Sequence, residues 1–453
     1  MSQPSMPGSP AQALLGAHAS RRRLLQAAPI AAAAAVLPSV LAGCTASPAT
    51  TPSAGASGGS DVVTVVKNVR PLGGPAKDLV AHRGVLVASV PAGVKVEEID
   101  GRGRLAVPTL VDAHIHPDKT GWGEPWYRRE PAQGREKLAA GDVDFAKAMP
   151  RPTAERSLGL MKHAVAQGTR AMRAHADVAP AYGLSGVEGL VAAREALKGV
   201  LDVQIVAFPQ HGVLRTPGTV ELLDQAAAGG LLDFVGGIDP VSFDGAHGNQ
   251  LDVLFPIAEK HGIGLDIHLH DLDEPGLATL RDIVARTRAA GLDGKVTVSH
   301  AYSFARLAAP EQQDALADEI AAAGIKLTTV APTNQNVLPY QRLATKGVQV
   351  GLGSDGVRDN WSPFGNADML HRAWILGWMT RARTDADLQA CFDLAAHGGA
   401  EVMGLPASDL AVGSPADFMV IEGEGVPQIV VDVPRRDLVL RAGRVVGRDG
   451  EFV

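Results

Sequence analysis

The chain has 453 residues, of which 46% are hydrophobic and 20% are charged. This composition excludes a wholly disordered protein, and the length allows one large domain or one large and one small domain. The formal net charge is −7 at pH 7. A nucleic-acid partner is not expected, because the chain has no basic excess with which to displace counterions from phosphates.

The first 60 residues are predicted to be a targeting segment outside the fold. Three consecutive arginines at 21–23 precede an apolar run, 27–42, which is too short and too rich in Ala for a good membrane span. The arginines resemble a twin-arginine export signal, and the sequence ending at Cys44 resembles a lipobox. We therefore predict a signal peptide over 1–43, a lipid on the sulfur of Cys44 and a flexible tether over 44–60. The mature protein would be exported by the twin-arginine route and anchored by its lipid on the outer face of the cytoplasmic membrane or in the periplasm.

The remaining chain changes character twice. Short β-type runs over 61–108 return over 406–453, which predicts a small composite β-sandwich domain built from both ends of the mature chain. Residues 109–405 alternate apolar strand-like runs with segments of helical period, the pattern of βα units. The strand-like runs lie at 109–116, 171–177, 203–210, 234–239, 264–270, 295–300, 325–330 and 348–355. Eight βα units predict an α/β fold, the (β/α)8 TIM barrel, with its active site at the C-terminal ends of the strands.

Polar residues end several of these runs. They are His114, His116, Gln210, His268, His270, His300 and Asp355. Residues two apart on a strand share a face, so His114 and His116 can both point into the barrel mouth. Together with His268 and Asp355 they offer three imidazoles and one carboxylate, a donor set that suits Zn²⁺ or Fe²⁺ better than Ca²⁺ or Mg²⁺. The sequence therefore predicts one divalent transition metal, Zn or Fe.

Such an ion makes bound water a nucleophile near neutral pH. His300 would then orient or stabilise the hydroxide. Asp355, close to the ion, could take the proton as the water attacks. These three features predict a hydrolytic site.

The motifs and their order resemble the amidohydrolase superfamily, and within it the cytosine deaminase-like branch. The resemblance covers most of residues 61–450 and is carried by VDAHIHPDK at 111–119, QIVAFPQ at 204–210, DIH at 266–268, VSH at 298–300 and GSD at 353–355, followed by Trp361. It implies that the metal ligands are His114, His116, His268 and Asp355 and that His300 contacts the hydrolytic water. It also implies that Gln210 hydrogen-bonds the edge of the substrate ring and that Trp361 lines the pocket.

The sequence departs from cytosine deaminase at positions that would help to identify the substrate ring. Asp271 stands where that enzyme has a glutamate proton shuttle, and Gly356 stands where it has a second aspartate that touches the pyrimidine. These changes weaken the case for cytosine itself. The sequence HLHD at 268–271 instead resembles the branch of the N-isopropylammelide isopropylamidohydrolases, which hydrolyse an alkylamino group from a triazine ring.

Three residues compete as the acid that protonates the departing nitrogen. Asp271 is our first choice, while His270, which shares the inward face with His268, could take that role or contact the substrate, and Glu274 is a third alternative. Lys119, in the loop after the first run, either contacts an anionic or carbonyl atom of the substrate or pairs with Asp118.

We therefore predict a metal-dependent hydrolase that cleaves an exocyclic or ring C–N bond of a nitrogen heterocycle, by deamination or by dealkylation. Linear or cyclic amides are an alternative substrate class, and a surface-anchored binding protein without catalysis is an alternative function. The retained ligand set and His300 favour the enzyme. The expected partner is a small heterocycle or amide, membrane contact would be made only through the N-terminal lipid, and the sequence leaves an oligomer open.

Overall fold

The computed structural model describes residues 62–129, 134–245 and 248–453. The predicted signal peptide, tether and lipidated Cys44 lie outside these residues. Within the described ranges, the helices are all too short or too polar to cross a membrane.

Five strands precede the barrel. They are β1 (Val62–Pro71), β2 (Lys77–His82), β3 (Val85–Val87), β4 (Lys95–Asp100) and β5 (Leu105–Pro108). β1 is central to this part, because it pairs antiparallel with β2 and parallel with both β4 and β5.

Eight parallel strands then form the barrel. They are β6 (Leu110–Ile115), β7 (Thr169–Asp177), β8 (Asp202–Phe208), β9 (Phe234–Ile238), β10 (Gly264–His268), β11 (Val296–Ser299), β12 (Lys326–Thr329) and β13 (Val350–Leu352). Each strand pairs with its neighbour in sequence. The Asp355 N–H, just beyond β13, donates to the His114 carbonyl at 2.9 Å and joins the last strand to the first. The predicted (β/α)8 fold is confirmed.

Helices surround and connect these strands. They are α1 (Arg135–Ala148), α2 (Thr153–Ala166), α3 (Ser185–Ala196), α4 (Thr219–Ala228), α5 (Leu251–His261), α6 (Asp273–Ala289), α7 (Tyr302–Ala305), α8 (Pro310–Ala322), α9 (Tyr340–Thr345), α10 (Met369–Thr380), α11 (Asp385–Asp393), α12 (Gly399–Met403) and α13 (Val426–Asp432). A 3₁₀ turn covers Asn334–Asn336 and a π-helical turn covers Leu394–Gly398.

Side-chain alternation along the barrel strands separates the core from the site. In β10, Leu265 and Ile267 belong to the main hydrophobic cluster, which includes residues of the surrounding helices. Asp266 and His268 alternate with them and are also fully or almost fully buried. Because neighbours on a strand point to opposite faces, these two polar residues point into the barrel.

The chain returns to the first sheet after the barrel. The last strands are β14 (Phe418–Ile421), β15 (Arg436–Arg441), β16 (Arg444–Arg448) and β17 (Glu451–Phe452). β14 pairs antiparallel with β5, so the strands follow the path β17-β16-β15-β14-β5-β1-β2-β3, with β4 on β1. The predicted β-domain built from both ends of the mature chain is therefore confirmed.

A buried carboxylate ties this sheet to the barrel. Asp417, immediately before β14, is fully buried and pairs with Arg170 of β7 at 3.3 Å and with Arg441 of β15. Arg441 also reaches Asp202 at the start of β8. Charges from both parts of the fold thus neutralise one another at the junction.

Candidate metal centre and active site

The four side chains predicted to bind a metal lie together at the C-terminal rim of the barrel. His116 Nε2 is 3.2 Å from His268 Nε2 and 3.5 Å from Asp355 Oδ1. His114 Nε2 is 3.7 Å from the same carboxylate oxygen. Four ligands at about 2.1 Å from one ion stand about 3.4 Å apart in a tetrahedron. The observed distances are close to that spacing, so these donors can share one ion.

The histidines at this rim are buried and electrically neutral. Burial lowers the pKa of His114, His116 and His268 well below the ordinary range, and neighbouring imidazoles and cations lower it further. Neutral imidazole is the form that binds a metal. Among the Nε2 atoms that face this site, that of His114 has no hydrogen-bond partner among the described residues. A buried polar atom without a partner costs about 1–3 kcal/mol, so the donor set fits a metal that takes up this lone pair.

A fourth imidazole, that of His175, lies in the same cluster. His175 comes from β7, is fully buried, and its ring centroid is 4.2 Å from that of His114 and 4.7 Å from that of His268. Donor atoms of these three residues lie within 4.8 Å of one another. Neither ring nitrogen of His175 has a hydrogen-bond partner in the described part of the chain. His175 is therefore a further candidate ligand.

His300 lies beside this cluster, just beyond β11. Its backbone has a φ of +70°, and its N–H donates to the Thr328 carbonyl at 2.9 Å. Donor atoms of His114, His300 and Asp355 lie within 4.8 Å of one another. The ring is fully buried and stacks on that of His270, with centroids 4.2 Å apart. His300 is thus close enough to the ligands to contact a water molecule bound with them.

Asp271, the predicted proton donor, does not line the cavity, although its Oδ1 lies 3.7 Å from Nη2 of Arg135, which does. Its carboxylate accepts hydrogen bonds from the backbone N–H of Val241 at 3.1 Å and of Ser242 at 3.4 Å. Asp271 is absent from the cavity wall that the described residues form. Counted from His268, strand alternation places residue 270 on the inward face and residue 271 on the opposite face. Glu274 pairs with Arg281 on the surface of α6, with its side chain 74% exposed.

His270 lines the cavity instead and is held by a second buried carboxylate. Its Nδ1 is 3.0 Å from Asp239 Oδ2, and its backbone N–H donates to Asp239 Oδ1. Asp239 is fully buried and also pairs with Arg135 at 3.3 Å. Burial opposes ionisation of Asp239, but the neighbouring His270 and Arg135 outweigh it, so the pKa of Asp239 is lowered. The Asp239 carboxylate therefore orients His270 with Nε2 free to face a ligand.

Lys119 and Gln210 form the polar wall of the cavity. Lys119 Nζ donates to Gln210 Oε1 at 2.5 Å and lies 3.3 Å from both carboxylate oxygens of Asp177. Burial opposes the charge, but Asp177 and other nearby carboxylates outweigh it and raise the pKa of Lys119. Lys119 thus stays protonated as a donor, and its partner is Asp177 rather than Asp118.

Trp361 lies over this wall. Its ring centroid is 5.8 Å from Lys119 Nζ, and its indole Nε1 donates to Asp142 Oδ2 at 2.9 Å. The cavity measures about 590 Å³. Its wall includes His116, Lys119, Gln210, His268, His270, His300, Asp355 and Trp361. A cavity of this size holds a substituted heterocycle.

Gly356 has a steric role. A Cβ at this position would lie 2.1 Å from Asp359 Oδ2. Asp359 is fully buried, and its Oδ1 accepts the backbone N–H groups of Trp361 and Ser362 at 2.9 Å each. The space beside residue 356 is therefore taken by Asp359, which explains why an aspartate side chain has no room there.

Sequence reasoning missed Asp239, Arg135 and Tyr302, of which the last two line the cavity. A signal for Asp239 was present, because it ends the fourth strand-like run as the predicted site residues end theirs. Arg135 is the first residue of α1 and is not at the end of a strand, so the pattern of polar residues at strand ends could not predict it.

The chain belongs to the amidohydrolase family, whose sequence profile matches residues 97–447. It is a metal-dependent hydrolase acting on carbon–nitrogen bonds other than peptide bonds. It is 30% identical to the N-isopropylammelide isopropyl amidohydrolase of Pseudomonas sp. strain ADP over 383 residues, covering 83% of this chain and 94% of that one.

Two solved structures have the same fold. The N-isopropylammelide isopropylaminohydrolase of Burkholderia multivorans superposes with a TM-score of 0.80 at 36% identity, covering 86% of this chain and all of that one. The 5-methylcytosine deaminase of Klebsiella pneumoniae, bound to phosphonocytosine, gives a TM-score of 0.69 at 26% identity and covers 85% and 98% of the two chains.

The geometry predicts that His268→Ala abolishes stoichiometric metal binding, because it removes a donor that faces His116 at 3.2 Å. We expect wild-type protein to hold roughly one equivalent of transition metal and the variant to hold well under half of that, by elemental analysis after dialysis. His261→Ala is the matched control, since His261 of α5 pairs with Asp224 of α4. Equal metal content in His268→Ala and wild type would refute the centre.

Proposed function

We propose that this protein hydrolyses the bond between a carbon atom of a nitrogen heterocycle and an exocyclic amino or alkylamino nitrogen, using one Zn²⁺ or Fe²⁺ ion. The proposal rests on one observation: His114, His116, His268 and Asp355 converge, and the last three of them line the cavity together with Lys119, Gln210 and His270. Because the structural relatives above 25% identity are named for ammelide and cytosine derivatives, they support a ring substrate.

Each residue of the site has a separate role in the proposed hydrolysis. When bound, the metal supplies a Lewis acid that makes water a nucleophile near neutral pH. Asp355 Oδ1 faces the imidazoles of His114 and His116, which leaves Oδ2 to accept a proton from the attacking water. His300 orients that water. As oxygen bonds to the ring carbon and the carbon–nitrogen bond breaks, His270 Nε2 donates the proton that the departing nitrogen needs.

The opposite walls of the cavity differ in polarity, which supports a direction for the substrate. Gln210 follows β8 and Val330 follows β12, four strands away in an eight-stranded barrel and hence across the mouth. Lys119 and Gln210 offer hydrogen bonds to ring oxygen and nitrogen atoms. The opposite side of the wall contains the apolar residues Val330, Ala331 and Pro332, which follow β12, and Ile375 and Met379 of α10. An alkyl substituent on the departing nitrogen would bury its surface there, which favours alkylamine over ammonia as the product.

We also propose that the protein acts outside the cytoplasm, anchored by lipid on Cys44. The twin-arginine run and the lipobox-like sequence support this location.

The first experiment separates the substrate classes. Aminopyrimidines, aminotriazines, their N-isopropyl derivatives and cyclic amides are incubated with metal-loaded protein, and ammonia and alkylamine are quantified. We expect alkylamine release from an N-isopropylamino ring to be faster than ammonia release from its parent. Ile375→Phe, which fills the apolar side, should lower kcat/KM for the N-isopropyl substrate by about 10-fold and spare the amino parent. Activity confined to cyclic amides would refute a ring-amine substrate.

The second experiment tests the proton donor. His270→Asn should lower kcat by about 10²–10⁴-fold, because the departing nitrogen loses its acid. Asp271→Asn is the matched neighbour and should retain most of the wild-type kcat, since Asp271 bonds to backbone N–H groups away from the cavity. If Asp271→Asn loses as much activity as His270→Asn, the donor role returns to Asp271.

The third experiment tests the anchor in the native host. We expect Cys44 to be labelled by a radioactive or alkynyl fatty acid and the protein to sediment with membranes, and Cys44→Ser to abolish both. Cys391→Ser controls for labelling of the second cysteine, which is buried. A water-soluble wild-type protein without label would contradict the proposal.

A further inference from the structure

We infer that Ser299, Asp266 and Arg173 form a hydrogen-bonded line behind the metal centre that fixes His114 in the tautomer able to bind metal through Nε2. His114 Nδ1 is 3.0 Å from Ser299 Oγ, which is 2.7 Å from Asp266 Oδ1. The other oxygen of Asp266 is 3.0 Å from Arg173 Nη1. The inference rests on the metal centre of the proposed function and adds the residues that orient one of its ligands.

The direction of each hydrogen bond follows from the chemistry of the groups. Arg173 can only donate, and the ionised Asp266 can only accept. Ser299 must therefore donate its hydroxyl proton to Asp266. Its remaining lone pairs accept, so His114 Nδ1 carries the hydrogen that points at Ser299. His114 Nε2 is then left without a proton, with its lone pair toward Asp355.

Thr328 supports the same assignment. Its Oγ1 lies 2.9 Å from Ser299 Oγ. Because Ser299 has a single proton and gives it to Asp266, this second contact is a hydrogen bond that Thr328 donates. Ser299 thus makes three hydrogen bonds, which match its one donor and two acceptor sites.

Arg173, at the charged end of the line, is surrounded by hydrogen-bond acceptors. Arg173 is almost fully buried, donates to Thr297 Oγ1 at 2.7 Å and to Gln204 Oε1 at 3.0 Å, and its guanidinium lies 4.1 Å from the centre of the Phe234 ring. A buried guanidinium is costly unless a carboxylate and other acceptors surround it. The cation in turn stabilises the charge on Asp266, and that charge makes Asp266 the acceptor that Ser299 needs.

The line crosses the interior of the barrel. Arg173 belongs to β7, Asp266 to β10, Ser299 to β11 and His114 to β6, so each residue is fixed by a strand rather than by a loop. Partners of this kind orient a ligating imidazole and raise its basicity, and their loss typically costs 10- to 100-fold in metal affinity. We therefore assign Ser299, Asp266 and Arg173 as positioning residues.

Metal affinity measured by competition with a chelator tests the line without using activity. Ser299→Ala should raise the Kd for Zn²⁺ by about 10- to 100-fold, and Ser299→Thr, which keeps the hydroxyl, should restore most of the affinity. Ser303→Ala is the matched control, because Ser303 is a buried serine whose hydroxyl has no partner among the described residues. Its Kd should equal that of the wild type.

Asp266→Asn gives a second, sharper test. The amide oxygen would face Arg173, so its NH₂ group would donate to Ser299. Ser299 could then turn its proton toward His114 Nδ1, which favours the tautomer that carries hydrogen on Nε2. We expect a Kd increase at least as large as that of Ser299→Ala, with an altered visible spectrum of the Co²⁺-substituted protein.

The outcomes separate the inference from the proposed function. If wild-type protein binds no metal, both fail. If wild type binds metal but folded Ser299→Ala and Asp266→Asn retain its Kd and Co²⁺ spectrum, the inference alone is overturned. If the two variants have a lower melting temperature but unchanged Kd and spectrum, the line has only a structural role, and the inference is overturned as well.

Discussion

An imidazole removed from water needs a partner for its ring nitrogens, and in this protein five imidazoles share one small volume at the barrel mouth. They are His114, His116, His175, His268 and His300. Burial keeps each of them neutral. Several of these ring nitrogens are buried without a hydrogen-bond partner, which costs free energy that a bound cation would offset. The rings cannot move apart to relieve this cost, because the barrel strands hold them in place.

The same constraint explains why so many carboxylates surround the site without binding to it. Asp239 orients His270, Asp177 neutralises Lys119, and Asp142 accepts the indole N–H of Trp361. Burial raises the pKa of Asp142 to about 7 and, together with the nearby Asp177, raises that of Asp118 to about 7.

The sequence predicted the barrel and the convergence of the ligands because both follow from period-two alternation and strand order. The rule that polar residues at strand ends meet at one rim was enough to predict that His114, His116 and His268 come together. Asp271 could not be predicted in the same way, because it lies beyond β10, where the backbone turns and its carboxylate finds the N–H groups of Val241 and Ser242. The role of Arg135 could not be predicted from the sequence either, because its contact with Asp239 depends on how α1 packs over the barrel.

The departure from the cytosine deaminase pattern at position 271 bears on proton transfer. An alkylamine is too basic to leave as an anion, so the carbon–nitrogen bond breaks only when an acid reaches the nitrogen. The Asp271 side chain is one methylene shorter than the glutamate and does not line the cavity, so in the proposed reaction the acid would come from another group at the cavity wall. His270 is such a group, and the buried Asp239 that fixes its Nδ1 belongs to the neighbouring strand end. In the proposed reaction, an imidazole supported by a carboxylate would thus take the place of a carboxyl group as the proton donor at the cavity wall.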